Sequence, residues 1–203
     1  MLHIGKDGHV GRLTSENEAL AHRVIARYPI ERSALIPLLH LAQAQDGWVS
    51  PEAMVHVGEL VGLTPAEVLS TCSFYEMFKR EPVGRYLVGI CTNIACMLCG
   101  ADELLRHAER RLGVRPGGTT ADGLFSLDEA QCLAGCGAAP CVQVNYRYVD
   151  AASPARFDVL LADLEAGRLD AEIPPHGTLC RMPVPQPVGE PTPVESLALR
   201  QRH

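Results

Sequence analysis

Six of the eight cysteines in this 203-residue chain lie in two short runs, and that grouping constrains the molecule more than any other feature. The first run is Cys91-Thr-Asn-Ile-Ala-Cys96-Met-Leu-Cys99-Gly; the second is Cys132-Leu-Ala-Gly-Cys136-Gly-Ala-Ala-Pro-Cys141. The opening MLHIGKDGHVGRL carries no apolar signal-like stretch, so a cytoplasmic location is expected. In that reducing compartment structural disulfides are disfavoured, and clustered cysteines bind metal or do redox chemistry. Cys72 and Cys180 stand apart, and read as a packing residue and a free thiol.

The pattern around the runs places them on an α/β scaffold. Residues 1–84 read as a helical segment. Ser15 with Glu18 gives a capping box, Ser33 a cap for the helix carrying Leu35, Leu38 and Leu39, and Gly47 its end. Ser50-Pro51 opens a third helix, and Thr64-Pro65-Ala66-Glu67 a fourth. Trp48, next to the helix end, is expected to plug this segment against its neighbours. From Arg85 the period changes. Tyr86 to Ile90 reads as a strand ending at Cys91, followed by a helix with Leu104, Leu105, Ala108 and Leu112 on one face. Leu124 to Gln131 reads as a second strand delivering Cys132. Val142, Val144 and Tyr146 alternate as a third, with Tyr148-Val149 returning as a fourth. Ser153-Pro154 starts a last helix through Phe157, Leu160, Leu161 and Leu164. This predicts helices covering a small mixed sheet over residues 85–172. Residues 173–203, with seven prolines from Pro174 to Pro193, predict an extended or disordered tail.

Both runs begin where a strand is expected to end, so both can be loops at one end of the sheet. Two loops giving two cysteines each can supply the four thiolates of a 2Fe–2S cluster. Gly135 and Gly137 are expected to let the second loop turn and bring backbone N–H groups towards the sulfurs. Neither run contains Asp, Glu, Lys or Arg, so an anionic cluster would rely on amide donors and burial rather than on neighbouring cations, and a site without cations suits a low reduction potential. Spacing leaves other chemistries open. Cys91-x4-Cys96-x2-Cys99 with a distant fourth cysteine has plant-type ferredoxin spacing. Cys96-Met-Leu-Cys99 resembles a thiol–disulfide motif, which would make a free oxidoreductase. Four cysteines can also hold a structural zinc, and buried free thiols can be inert.

Other function classes are poorly served. A formal charge of −6 with scattered Lys and Arg gives no basic face for nucleic acid. No stretch reaches the roughly 18 apolar residues of a membrane span. There is no G-x-G-x-x-G after a strand, no Walker A loop, no H-E-x-x-H and no Ser/His/Asp or paired-carboxylate arrangement. No catalytic residue is therefore predicted on this chain.

The sequence resembles the thioredoxin-like 2Fe–2S ferredoxin subunits of NADH:quinone oxidoreductases (complex I), the E-type subunits of the bacterial enzymes. The resemblance runs through LIPLLHLAQAQDGWVSPEAM, GLTPAEVLSTCSFYEMF, PVGRYLVGICTNIACML, GADELL, DGLFSLDEAQCLAGCGAAP and VQVN, and covers about residues 20 to 165. The family signature of C-x4-C with C-x3-C falls on Cys91/Cys96 and Cys132/Cys136. It implies these four as ligands of one 2Fe–2S cluster in a thioredoxin-like domain behind N-terminal helices. It also implies a flavoprotein partner subunit carrying FMN and NADH, with the cluster near the flavin but off the main electron path. A peripheral position on the cytoplasmic side of the inner membrane follows, without direct insertion. Related subunits serve NAD-reducing hydrogenases and NAD-dependent formate dehydrogenases. Cys99 and Cys141 depart from the family pattern and are expected to be spectator thiols. Pro140 occupies the place where thioredoxin-like folds often carry a cis-proline.

Overall fold

The computed structural model describes residues 11–177. Four helices come first: α1 (Ser15–Ile25), α2 (Leu35–Asp46), α3 (Pro51–Val61) and α4 (Pro65–Phe74). Ser50 Oγ accepts from the Ala53 N–H at 3.0 Å, and Thr64 and Glu67 close the expected capping box. Gly47 ends α2 with φ +81°, a left-handed conformation that a side chain resists. Two starts differ from expectation. The cap of α1 is Thr14, not Ser15: its own N–H is taken by Gln45 Oε1 at 2.8 Å, which holds it extended while its hydroxyl accepts from Asn17. Ser33 caps nothing. It lies in a 3₁₀ turn, Glu31–Ala34, that runs into α2 as continuous helical backbone.

These helices enclose a core of Leu38, Leu39, Val49, Val57, Val68 and Cys72, among others. Cys72 is packing, as expected; burial pushes its thiol up to about 11. Trp48 is only half-buried, and the residue that fills the core at this bend is Val49, with no exposed surface. Fully buried Gln43 ties α2 to the following connection. Its amide donates to Met77 O and accepts from the Lys79 N–H, both at 2.8 Å.

The second part holds β1 (Tyr86–Cys91), α5 (Ile94–Leu98), α6 (Ala101–Leu112), β2 (Phe125–Ala130), β3 (Val142–Val144), β4 (Arg147–Val149) and α7 (Pro154–Glu165). The four-stranded sheet has the order β2-β1-β3-β4. β1 runs parallel to β2 and antiparallel to β3, so the sheet is mixed. Tyr86, Val88 and Ile90 alternate onto one face, where they meet Leu104 and Ala108 of α6 and Phe157, Leu161 and Leu164 of α7. The alternation expected to reach Tyr146 stops at Val144. Asn145 and Tyr146 form a two-residue hairpin turn with φ of +47° and +65°, the mirror-image geometry that matches strand twist. The Asn145 side chain fixes that conformation. It accepts from the Leu87 N–H at 2.7 Å and donates to Arg85 O and Pro174 O.

Residues 173–177, at the start of the expected tail, are packed. Ile173 enters the sheet core, the His176 N–H donates to Arg85 O at 2.8 Å, and Gly177 sits against Gln43 O, where a Cβ would come within 2.6 Å. Residues 178–203, with Cys180, lie outside the described region. No helix among the described residues is long and apolar enough to cross a membrane.

His176 is 7% exposed with neither ring nitrogen hydrogen-bonded. Burial, with the Lys79 ammonium nearby, pushes its pKa down to about 4. An unfolded chain binds this proton near pH 6.5, so lowering the pH through that value favours unfolding until the folded pKa is reached. The lost stability amounts to about 3 kcal/mol between about pH 6.5 and pH 4. His176→Leu is expected to flatten that part of the profile. Urea unfolding of both proteins at pH 7 and pH 4.5 checks it, and an equal loss in the two would refute it.

Candidate metal centre

Strand pairing brings the cysteine runs together. Because β1 and β2 are parallel, with Cys91 opposite Ala130, both strands finish at the same end of the sheet. Because β3 is antiparallel, it starts there, with Val142 opposite Ile90. The Cys91 N–H donates to Cys141 O, and the Thr92 N–H to Ala130 O, each at 3.0 Å. The first run leaves β1 into α5, which carries Cys96, and Gly100 at φ +92° breaks the backbone before α6 begins. The single helix expected after Cys91 is thus two. The second run leaves β2, passes Ala134 at φ +56°, makes a 3₁₀ turn over Cys136–Ala138, and enters β3 through a cis Ala139–Pro140 bond, as the resemblance implies.

The thiols fall into two groups. Cys91, Cys96 and Cys141 are 2–3% exposed and form one small cluster with Ala101, flanked by Leu133 and Ala139. Cys99, Cys132 and Cys136 are exposed. So each loop contributes at least one thiol at the surface. Among the described residues, no group of three or more His, Cys, Asp or Glu is gathered tightly enough to hold a metal ion as it stands.

Electrostatics separates the buried thiols. Burial disfavours a thiolate at Cys91, but the N–H groups of Asn93 and Leu133 and the Cys96 thiol all donate to its sulfur, and together they bring its pKa below the ordinary value. Burial, then hydrogen bonding and negative charge from Cys91, push Cys96 up, although the Cys141 N–H donates to it. Cys141 is pushed up by burial and by Cys91 and Cys136. Cys91 is therefore the first of these sulfurs to ionise, and amide dipoles replace the cations both runs lack. Leu133 belongs to the second loop, so its N–H links one loop to the ligand candidate of the other. Sequence reading did not find Leu133, and could not: an amide has no side-chain signature.

The Gly135 N–H is turned towards the Cys141 sulfur, as expected, but positive φ is not what the loop takes from its glycines. Neither Gly135 nor Gly137 has positive φ. Gly135 is needed for space, since a Cβ there would lie 2.4 Å from Cys141 Sγ and 3.2 Å from the Tyr148 ring. Nothing comes within 4 Å of the same position at Gly137.

Each loop offers three thiols, with N–H groups towards sulfur and no charged side chain in either run. That chemistry fits an iron–sulfur cluster open to the surface on one side. Comparison with known proteins points the same way. Residues 21–165 match the model of the Thioredoxin-like [2Fe-2S] ferredoxin family. The chain is 40% identical over 161 residues to NADH-quinone oxidoreductase subunit 2 of Thermus thermophilus, covering 78% of this chain and 89% of that one. It is 40% identical over 141 residues to an E-type subunit of the NADH-quinone oxidoreductase of Rhizobium meliloti, covering 70% and 84%. With the E-type subunit of the Mycobacterium bovis NADH-quinone oxidoreductase it shares 43% identity over 149 residues, 73% of this chain but only 59% of that relative. Among solved structures, an NAD+-reducing [NiFe]-hydrogenase in its air-oxidized state superposes with a TM-score of 0.57 at 26% identity, over 66% of this chain and 23% of the hydrogenase chain.

Gly135→Ala is expected to destabilise the fold by about 1–3 kcal/mol through overpacking. It should also expose Cys141 to alkylation. Adding Cys141→Ala, which removes the nearest clashing atom, should restore most of the loss. Urea unfolding and mass-mapped iodoacetamide labelling read both effects, and a Gly135→Ala protein matching wild type would contradict the packing.

Proposed function

Because the chain belongs to the thioredoxin-like [2Fe-2S] ferredoxin family, we propose that it is an electron-transfer subunit of a respiratory NADH:quinone oxidoreductase, holding one 2Fe–2S cluster through Cys91, Cys96, Cys132 and Cys136. The observation that carries this reading is the convergence of two uncharged cysteine loops at one end of β1, with both loops donating N–H groups to Cys91. The cluster would supply one-electron exchange. This chain's residues would hold it, shield one side with Cys141, Ala139 and Ala101, and leave Cys132 and Cys136 facing outward.

That exposed side sets the place of a partner. Ile94 and Leu98, 68% and 78% exposed, and Met97 lie on α5 around buried Cys96. Apolar residues beside an electron-transfer site form a surface a partner can cover. In this reading the occupant is the flavoprotein subunit carrying FMN and NADH, and the cluster exchanges single electrons with its flavin. Attachment to the cytoplasmic side of the membrane would run through such partners.

A diaphorase subunit of an NAD-reducing hydrogenase is the second reading, supported by the structural likeness. Identities of 40–43% to the quinone oxidoreductase subunits, against 25–26% to the hydrogenase, favour the first.

Anaerobically purified chain should be brown, contain about two irons, and give an S = 1/2 EPR signal on dithionite reduction. Single Cys→Ser changes at Cys91, Cys96, Cys132 or Cys136 should each remove or alter that signal. A Cys99→Ser/Cys141→Ser double variant should keep it. A colourless, iron-free wild-type chain after reconstitution would defeat the cluster reading; loss of the cluster in the double variant would overturn the ligand assignment.

A further inference from the structure

Tyr148 lies on β4, opposite Gln143 of β3 and outside both cysteine runs. Its hydroxyl donates to Leu133 O, inside the second run between Cys132 and Cys136. Its ring packs over Gly135, where the missing Cβ leaves room for both the ring and Cys141 Sγ. The side chain is nonetheless 60% exposed. Burial therefore does not hold this tyrosine over the loop; the hydroxyl contact and the glycine platform do.

Leu133 has two anchors. Its carbonyl is held by Tyr148, and its side chain packs against the buried cluster of Cys91, Cys96 and Cys141. The loop held in this way presents Cys132 and Cys136, and the potential of an iron–sulfur cluster depends on the hydrogen bonding and solvent exposure of its thiolates. How these two thiols and the amides between them sit depends on Leu133, whose carbonyl Tyr148 grips.

Resting on the 2Fe–2S reading above, we propose that Tyr148 is a positioning residue for the cluster: it locks Leu133 so that the second loop presents Cys132 and Cys136, with the amides between them, in one fixed arrangement. Tyr148 acts through the Leu133 backbone.

Tyr148→Phe is the informative variant, because it keeps the ring over Gly135 and removes only the hydroxyl. Tyr146→Phe is the control, since that hydroxyl contacts Met77 O, away from both runs. The full chain, loaded with cluster, would be followed by EPR-monitored potentiometry and by iron release to a chelator. Tyr148→Phe should shift the midpoint potential and speed iron release several-fold while the melting temperature stays close to wild type. Tyr148→Ala should go further in both, and Tyr146→Phe should change neither. A Tyr148→Phe cluster with wild-type potential overturns the proposal even if iron release quickens, because a purely structural tie would do that alone. A wild-type chain that binds no cluster overturns the 2Fe–2S reading and this inference together. A wild-type cluster unaffected by Tyr148→Phe overturns only the latter.

Discussion

Strand β1 pairs on both sides, and the geometry of the candidate centre depends on that. Its parallel partner β2 ends where β1 ends, and its antiparallel partner β3 begins there. Three chain segments that are far apart in sequence therefore meet at Cys91, Ala130 and Cys141. The amide of Cys91 completes the arrangement by donating to Cys141 O. A one-residue slip of β3 would turn Val142 and Val144 off the core face, and the same slip would shift Cys141 relative to Cys91. The hydrophobic pattern of the sheet and the register of the thiols are thus one constraint.

The site built on this frame does its electrostatics with backbone. Cys91 is as buried as Cys96 and Cys141, yet only its pKa is lowered, because N–H groups from both loops converge on it. A lysine or arginine could have provided the same stabilisation, but a long flexible cation at the surface would be screened by salt and would carry charge into any interface that covered it. Amides in fixed loops carry no net charge and depend only on the loops keeping their shape. Gly135 and Tyr148 serve that requirement, one by leaving space and the other by gripping Leu133.

Much of the fold was legible from local chemistry. Ser50, Thr64 and Ser153 cap their helices, and Gly47 and Gly113 end theirs, because caps are decided within one turn of backbone. The strands and the α6 and α7 faces followed from periodicity. Several misses involve distant partners. Thr14 is the cap because Gln45 holds its amide, and the third strand stops at Val144 because Asn145 reaches Leu87, Arg85 and Pro174. At the centre, spacing revealed two cysteine loops but left zinc, thiol exchange and several ligand sets open. The resemblance narrowed them to Cys91, Cys96, Cys132 and Cys136. Which thiols are buried could not be read from either, because Cys141 is drawn inward by strand β3 and by the gap at Gly135.

The division between buried and exposed thiols bears on how the proposed cluster would work. Electron exchange needs one side of the cluster close to a partner, while burial of the other side limits water and holds the ligands in place. Here the inner side is built from β1 and the β3 entry, the most firmly paired backbone in the sheet. The outer side is built from a loop with few fixed contacts. Its two exposed cysteines stand on either side of Leu133, the residue that Tyr148 holds. A partner that covered Ile94, Met97 and Leu98 on α5 would close over the edge of the first loop. The shape of the second loop would still be set by this chain. In that proposal docking governs how far an electron must travel, whereas the second loop, held at Leu133, governs how strongly the site holds it.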